Sequence, residues 1–263
     1  MKPTVTYTTN YYRGGLGDFF NGAISLFALV RNQANFQIWL NDRLPLAACF
    51  DLPYAAMLGQ HLLLDATAET MTEAPKQAAQ VLDALARGQP LTVTTNIGTF
   101  VPSEALVASV PAFMKLFKPS AAVDRRRAEL LEIAGVRGPY ISLHVRCGDG
   151  YAGSPNCYCP GDRRLDPEIA FAQLLGFVCD LKDDIPIIFH TDNAELRARV
   201  AACIPELRVL EAAIQHTAEP GGSCIDTVAE FCVVGSAQKI YYMVDSGFTR
   251  MPALLFSVPR YQI

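Results

Sequence analysis

The stretch ISLHVRCGDG, residues Ile141 to Gly150, decides how the fold of this chain is interpreted. It opens with a short apolar run, which is typical of a strand buried in a parallel sheet. His144 and Arg146 lie at the carboxyl end of that run, and a glycine-containing turn follows them. Because open α/β sheets bind ligands at the carboxyl ends of their strands, this stretch predicts a binding site.

Strand-like and helix-like segments alternate on both sides of this stretch. Such alternation is what parallel α/β sheets require, because each crossover between parallel strands needs a helix. We therefore predict an α/β protein with two Rossmann-like parallel-sheet domains that face a cleft, residues 1–135 and residues 136–263. The predicted strands are 3–9, 36–40, 61–65, 91–95, 139–145, 185–191, 207–211 and 239–244.

Composition narrows the class of protein. Of the 263 residues, 51% are hydrophobic and 18% are charged, so we expect extensive burial. The net charge of −4 gives no electrostatic support for a nucleic-acid partner. No apolar run reaches the ~18 residues of a transmembrane helix, and the N-terminus lacks the apolar core of a signal peptide. We expect a cytoplasmic protein without a membrane span.

The chain contains eight cysteines. We interpret them mainly as structural thiols, because several lie in apolar, helix-like surroundings. Cys157 and Cys159 are separated by one residue, whereas common zinc sites have a two-residue spacer. A metal or a disulfide in the segment 147–159 is the alternative.

Polar and glycine-rich segments follow three further predicted strands. They are RGGLGD at 13–18, HTDN at 190–193 and DSGFT at 245–249. Glycines let backbone N–H groups approach a ligand, and a helix N-terminus favours negative charge. The first and third segments precede helices, so both are candidate phosphate-binding turns. Ordinary β–α turns and helix capping would produce the same segments, and GGLG lacks the third glycine of GxGxxG.

His144 and Arg146 lie two residues apart and share one face if the strand continues. An arginine fork can neutralise a phosphate and stabilise charge on a leaving group. A histidine beside it can hydrogen-bond a base or a ribose. The alternative is a histidine satisfied within the core and an arginine paired with Asp149.

Together these motifs resemble the GDP-fucose-dependent fucosyltransferases, which include α1,2-, α1,6- and protein O-fucosyltransferases. HVRCGDG and the N-terminal RGGLGDFFNGAISLFALV are most similar to the α1,6 branch that contains the bacterial nodulation enzymes. The resemblance extends from Arg13 to Leu255. It implies a two-domain GT-B fold, with the donor held mainly by the C-terminal domain and the acceptor on the N-terminal side. The implied activity is inverting transfer of L-fucose from GDP-fucose to a glycan hydroxyl, with no cofactor and no metal.

The resemblance also assigns roles to residues. Arg146 matches the arginine that binds the donor's diphosphate and supports departure of GDP, and His144 matches the histidine near guanine. Glu230 matches the acidic residue that pairs with guanine. A carboxylate can accept hydrogen bonds from the ring N–H and the amino group of guanine together, which explains a preference for GDP. Ser246 matches the serine at the diphosphate. The remaining implied donor contacts are Gly247, Phe248, Thr249, Gly15, Gly17 and Asp192.

Two departures from the family pattern matter. Several members carry two adjacent arginines, whereas the second position here is Cys147, so the linkage formed stays open. The α1,6 enzymes also carry a glutamate base a few residues after the motif, whereas GYAGSPNCYC has no carboxylate. Asp149, Asp162 and Asp18 are the candidates for the general base.

Alternative functions follow from the same observations. Another GDP-hexose would suit the fold equally, because the residues that contact the sugar cannot be identified from the sequence. A non-catalytic relative that binds nucleotide or glycan is motivated by Cys147 and by the absent glutamate. A nicotinamide-dependent enzyme is disfavoured by the incomplete glycine fingerprint. We expect the partners to be a nucleotide-sugar donor and a glycan acceptor.

Overall fold

The protein is described by a computed structural model, which covers residues 2–9, 15–41, 44–53, 55–64, 73–147, 164–181, 185–212 and 223–263. Its chain divides into two compact units, Met1–Val123 with Gln215–Ile225 and Asp124–Ile214 with Asp226–Ile263. This division falls near the start of a helix that begins at Ala121, whereas the division at 135/136 falls after that helix ends. The domain bounds taken from the sequence therefore stay a prediction.

The first unit contains a sheet of parallel strands with helices in the crossovers. Its elements are β1 (Thr4–Tyr7), α1 (Leu16–Val30), β2 (Asn35–Ile38), a 3₁₀ helix (Pro45–Cys49), β3 (Gln60–Leu64), α2 (Ala74–Ala86), β4 (Leu91–Thr95), α3 (Ser103–Val107) and α4 (Val110–Phe113). The strands pair in the order β2-β1-β4-β3. Pro111 lies in the first turn of α4, separate from α3, where a proline is tolerated because its missing N–H would have no partner within the helix.

The core of the first unit is built around α1. Its inner face carries Phe19 and Phe20, which pack against the rings of Phe50 and Phe117 at centroid distances of 5.2–6.1 Å. One helical position, Gly22, needs the absence of a side chain, because α1 approaches the carboxyl end of β4 closely there.

The second unit repeats the βα pattern with a five-stranded sheet. Its elements are α5 (Ala121–Ile133), β5 (Ile141–Val145), α6 (Pro167–Asp180), β6 (Ile187–Thr191), α7 (Ala194–Cys203), β7 (Leu207–Val209), α8 (Ile225–Gly235), β8 (Lys239–Tyr242), α9 (Gly247–Phe256) and β9 (Arg260–Gln262). The strands pair in the order β7-β6-β5-β8-β9, and every pair is parallel. The predicted α/β class with two parallel sheets is confirmed.

This strand order positions a binding site. The chain proceeds outward from β5 through β6 to β7, and then returns to the other side of β5 as β8. The order therefore reverses between β5 and β8, and the crevice outside the carboxyl ends of such strands is where α/β sheets bind ligands. Both β5 and β6 are buried along their whole length, because helices cover the sheet.

The helix starts in this unit follow the sequence signals. Asp166 caps α6 by accepting hydrogen bonds from the backbone N–H groups of Glu168 and Ile169, and Pro167 occupies the first turn. Asn193 caps α7 by accepting from the N–H of Leu196 at 2.7 Å. In the part of the chain that the structure describes, no helix has both the length and the apolar character needed to cross a bilayer.

Candidate functional site

The ends of β5 and β8 bring the predicted motif residues of the second unit together. His144 is the fourth residue of β5 and pairs in register with Tyr242 of β8 and His190 of β6. Arg146 comes one residue after β5, and Ser246 begins the turn that leads from β8 into α9. The site is therefore a product of the strand order.

His144 lies at the base of this site. Its side chain is buried and stacks on the ring of Phe248 at a centroid distance of 5.7 Å, and Phe248 in turn contacts Phe231 edge to face. The Nδ1 atom of His144 is buried and has no hydrogen-bond partner among the described residues. A buried polar atom without a partner costs about 1–3 kcal/mol, so a ligand that bonded Nδ1 would recover that free energy.

Burial determines the charge of His144. It lowers the pKa of the ring to about 4. The nearby charges have smaller effects than burial. Asp192 and Glu230 raise the pKa, whereas His190 and Arg146 lower it. His144 is therefore a neutral imidazole near pH 7, able to donate one hydrogen bond and accept another.

The segment after β5 carries one cation and one neutral thiol. The side chain of Arg146 is half-buried, and its backbone carbonyl accepts a hydrogen bond from the N–H of Leu165 at 3.1 Å. Burial, followed by the carboxylates of Asp192 and Asp166, raises the pKa of Cys147 to about 12. Cys147 therefore adds no charge beside Arg146 near pH 7.

Asp192 holds this segment in place. Its Oδ1 accepts a hydrogen bond from the backbone N–H of Cys147 at 2.8 Å, which ties the residue after β6 to the segment after β5. The family resemblance implied a donor contact for Asp192 without a defined role. The structure gives it a positioning contact within the protein.

The turn after β8 is arranged around the start of α9. The carbonyl of Ser246 accepts from the N–H of Arg250 at 2.9 Å, and Ser246 Oγ lies 3.4 Å from Thr249 Oγ1. Asp245 pairs with Arg260 beside it, and that guanidinium lies over the ring of Tyr242. The N–H of Thr249 also donates to the Ser246 carbonyl, at 3.2 Å. The positive end of α9 is therefore presented by the N–H groups of Gly247 and Phe248, the first two residues of the helix.

Glu230 and His190 form a buried pair next to His144. Glu230 lies on α8, and its Oε1 is 3.0 Å from His190 Nδ1. The other ring nitrogen of His190, Nε2, is 3.2 Å from Ser142 Oγ on β5. Sequence analysis placed His190 at a strand end without a role, because no local pattern relates it to Glu230 or Ser142.

The predicted residues of the glycine-rich start lie in the first unit. Gly15 precedes α1, and its N–H donates to the carboxylate of Asp18 at 3.2 Å. Gly17 is buried in the first turn of α1. Asp18 thus caps its own helix. The donor contacts predicted for Gly15 and Gly17, and the general-base role predicted for Asp18, stay predictions.

Some predicted residues lie outside the described part of the chain. They are Arg13, Gly14, Asp149, Asp162, Cys157 and Cys159. The residues that the structure does describe include no group of three His, Cys, Asp or Glu side chains arranged to hold a metal ion.

The described site offers two kinds of recognition. Arg146 and the start of α9 supply positive charge for an anion. His144, Phe248 and Glu230 supply a stacking surface, a hydrogen-bonding ring and a carboxylate, which suit a planar base that carries N–H donors.

Comparison with known proteins relates this architecture to solved enzymes. No family model matches the sequence, and no curated protein is recognisably similar to it. Among solved structures, the α1,6-fucosyltransferase NodZ from Bradyrhizobium, co-crystallised with GDP, has a TM-score of 0.62 at 14% identity, covering 97% of this chain and 93% of that one. FUT1 from Arabidopsis thaliana, as a variant in complex with GDP, has a TM-score of 0.59 at 11% identity, covering 100% and 70%. POFUT1 in complex with GDP has a TM-score of 0.50 at 9% identity, covering 99% and 98%.

At these identities the similarity establishes the fold. The chain shares its two-sheet α/β architecture with these fucosyltransferases over nearly its whole length. The resemblance drawn from the sequence motifs is thereby confirmed at the level of the fold.

Proposed function

We propose that this protein is a glycosyltransferase that binds GDP-fucose in its second unit and transfers L-fucose to a glycan hydroxyl. The observation that carries the proposal is the convergence of His144, Arg146 and the Ser246 turn at the two strands where the sheet order reverses. GDP or GDP-fucose is bound by several fucosyltransferases of the same fold, which supports the nucleotide proposed here.

The nucleobase would occupy the buried end of the site. Phe248 and His144 stack on each other, and His144 Nδ1 has no hydrogen-bond partner among the residues that the structure describes. Glu230 presents a carboxylate beside His144, and a carboxylate accepts from adjacent ring N–H and amino groups. Guanine carries that pair of donors on its edge, whereas uracil carries no such amino group. The proposal is therefore specific for a guanine nucleotide.

The diphosphate would lie against the positive groups at the mouth of the site. Arg146 supplies a guanidinium fork, and Gly247 and Phe248 supply backbone N–H groups at the start of α9. These groups would stabilise the charge that develops as GDP departs. We propose that this positive charge serves in place of a metal ion, so that turnover is insensitive to chelators.

The transfer itself would be a direct displacement with inversion. The acceptor hydroxyl attacks the anomeric carbon, the bond from that carbon to the diphosphate breaks, and a general base takes the hydroxyl proton. Asp149, Asp162 and Asp18 are the proposed candidates for the general base. A base must lie within hydrogen-bonding reach of the acceptor hydroxyl, and substitution of each carboxylate distinguishes them.

A second candidate is a GDP-sugar enzyme with a different hexose. The features described here would recognise the nucleobase and the diphosphate, and none of them would recognise the sugar. Transfer from GDP-mannose in preference to GDP-fucose would favour this candidate.

The test begins with ligand-dependent melting of the full chain. We would compare GDP, GDP-fucose, GDP-mannose, UDP and NAD at millimolar concentration. A ligand at about 100 times its Kd adds about 2.7 kcal/mol to the free energy of unfolding, which raises the Tm by a few degrees. A rise with the guanine nucleotides alone is the expected result, and no rise with any of them would refute the guanine site.

Arg146→Ala then tests the proposed chemistry. The variant should keep the fold and lose about 100-fold or more of the transfer rate, because it lacks a charge that stabilises the leaving group. Arg208→Ala is the matched control, since Arg208 is exposed on β7 at the edge of the sheet. Binding of GDP by the wild type without transfer to any glycan would favour a non-catalytic relative instead.

A further inference from the structure

Three polar side chains form a buried, hydrogen-bonded series across the second unit. Ser142 on β5, His190 on β6 and Glu230 on α8 are connected by contacts of 3.2 Å and 3.0 Å. The side chain of His190 is 0% exposed and that of Glu230 is 8% exposed. Burying a polar group costs free energy unless the group has a hydrogen-bond partner. Each of these three side chains has one, and the contacts restrict the orientation of all three.

The parallel register explains why these residues meet. Ser142 and His144 point to the same face of β5, because side chains alternate along a strand. His190 pairs with His144 in register and lies on that same face, where α8 brings in Glu230. The hydrogen-bonded series Ser142–His190–Glu230 therefore ends at Glu230, next to the proposed nucleobase site.

The chemistry of the groups sets the direction of each hydrogen bond. A carboxylate oxygen is the acceptor in this contact, so His190 Nδ1–H donates to Glu230 Oε1. In a neutral ring Nε2 then accepts, which makes Ser142 Oγ–H the donor to it. Among the described residues, no hydrogen bond to the second oxygen of Glu230 is observed. His190 thus anchors one oxygen of the Glu230 carboxylate.

We propose that His190 is a positioning residue for nucleobase selection, holding the Glu230 carboxylate in the orientation that recognises the amino-bearing edge of guanine. This inference rests on the proposed function, because it takes the donor to be a guanine nucleotide. Without the His190 donor, Glu230 would lose its only described anchor and could rotate or pair elsewhere.

The readout is the selectivity among nucleoside diphosphates. GDP and IDP differ by the exocyclic amino group alone, so the ratio of their Kd values measures recognition of that group. A role limited to stability would weaken both ligands equally and would leave the ratio unchanged. Titrations are done at a temperature well below the Tm of every variant.

Three variants separate the contributions. His190→Leu keeps a similar volume without a donor, and the preference for GDP over IDP should fall by roughly tenfold or more, as expected for loss of a hydrogen bond to a charged group. His190→Asn places an amide N–H close to the position of Nδ1 and should retain most of the preference. Ser142→Ala removes only the outer hydrogen bond and should have a smaller effect than His190→Leu.

A measurement on the wild type makes the test independent of whether His190→Leu folds. NMR of the histidine ring nitrogens should show His190 protonated at Nδ1, with that signal shifting on addition of GDP and not of UDP. The chain has four histidines, and His190→Asn identifies the signal by its loss.

The outcomes distinguish this inference from the proposed function. If the wild type binds no guanine nucleotide, the proposed function fails and this inference fails with it. If the wild type prefers GDP but a folded His190→Leu keeps the same ratio of Kd values, the inference alone is wrong. A His190 signal that saturating GDP leaves unmoved overturns it in the same way.

Discussion

His144 shows how strongly one position in a sheet can govern a side chain's chemistry. Its ring lies within β5, is 5% exposed and has a pKa lowered to about 4, mainly by burial. An exposed histidine titrates near pH 6.5. The unfolded chain therefore binds a proton at His144, between about pH 6.5 and about pH 4, that the folded chain does not bind.

This difference predicts how stability changes with pH. Because the unfolded state holds more protons in that window, the free energy of unfolding falls as the pH falls from about 6.5 to about 4. For this one group the slope is at most about 1.4 kcal/mol per pH unit. Urea unfolding at several pH values measures it in the wild type and in His144→Gln. The wild-type curve should be the steeper of the two, and equal slopes would contradict the assignment.

At the scale of elements, Gly22 in α1 and Gly176 in α6 differ in their surroundings. A Cβ built on Gly22 would lie 1.8 Å from the carbonyl oxygen of Thr95, at the end of β4. A Cβ on Gly176, in α6, would meet no atom within 4 Å. The first glycine allows a helix to pack on a strand end, whereas the second only lowers helix propensity.

The same substitution should therefore have opposite effects at the two positions. Gly22→Ala should lower the free energy of unfolding by at least about 2 kcal/mol, because a backbone carbonyl cannot move aside without displacing β4. Gly176→Ala should raise it by about 0.5–1 kcal/mol, because alanine has the higher helix propensity. Thermal and urea unfolding of both variants provide the measurement. A stable Gly22→Ala protein would mean that α1 does not approach β4 as described.

Sequence patterns predicted the elements whose signals are local. The apolar run at β5 depends on neighbouring residues, and its prediction as a buried strand is confirmed. The start of α6 at Asp166–Pro167 and the separation of α3 from α4 at Pro111 follow local signals of the same kind. Strand β9 was missed, because its three residues are partly or fully exposed at the sheet edge and show no apolar pattern. The partnership of His190 and Glu230 was missed for another reason. It depends on strand register and on where α8 lies, which are tertiary properties.

At the scale of the whole molecule, each unit has its own sheet and its own buried core. In the second unit, α5 is tied to α8 by Arg126, whose Nε donates to Asp226 at 2.8 Å and whose Nη2 donates to the carbonyl of Glu211. The sequence placed α5 with the N-terminal domain. Because of this ionic contact, we expect GDP binding to stabilise α5 together with the elements of the proposed donor site.

Hydrogen exchange in the presence of GDP tests which elements are stabilised by donor binding. Ligand binding slows exchange in those elements whose opening would disrupt the site. GDP should therefore slow exchange in β5, α8 and the start of α9, and α5 should gain protection with α8. Strand β3 and helix α2 of the first unit serve as internal controls and should exchange at the same rate with and without GDP, while UDP should protect neither unit. Protection confined to the first unit would contradict donor binding at the ends of β5 and β8. Protection of β5 without α5 would instead mean that the Arg126–Asp226 contact does not couple α5 to the site.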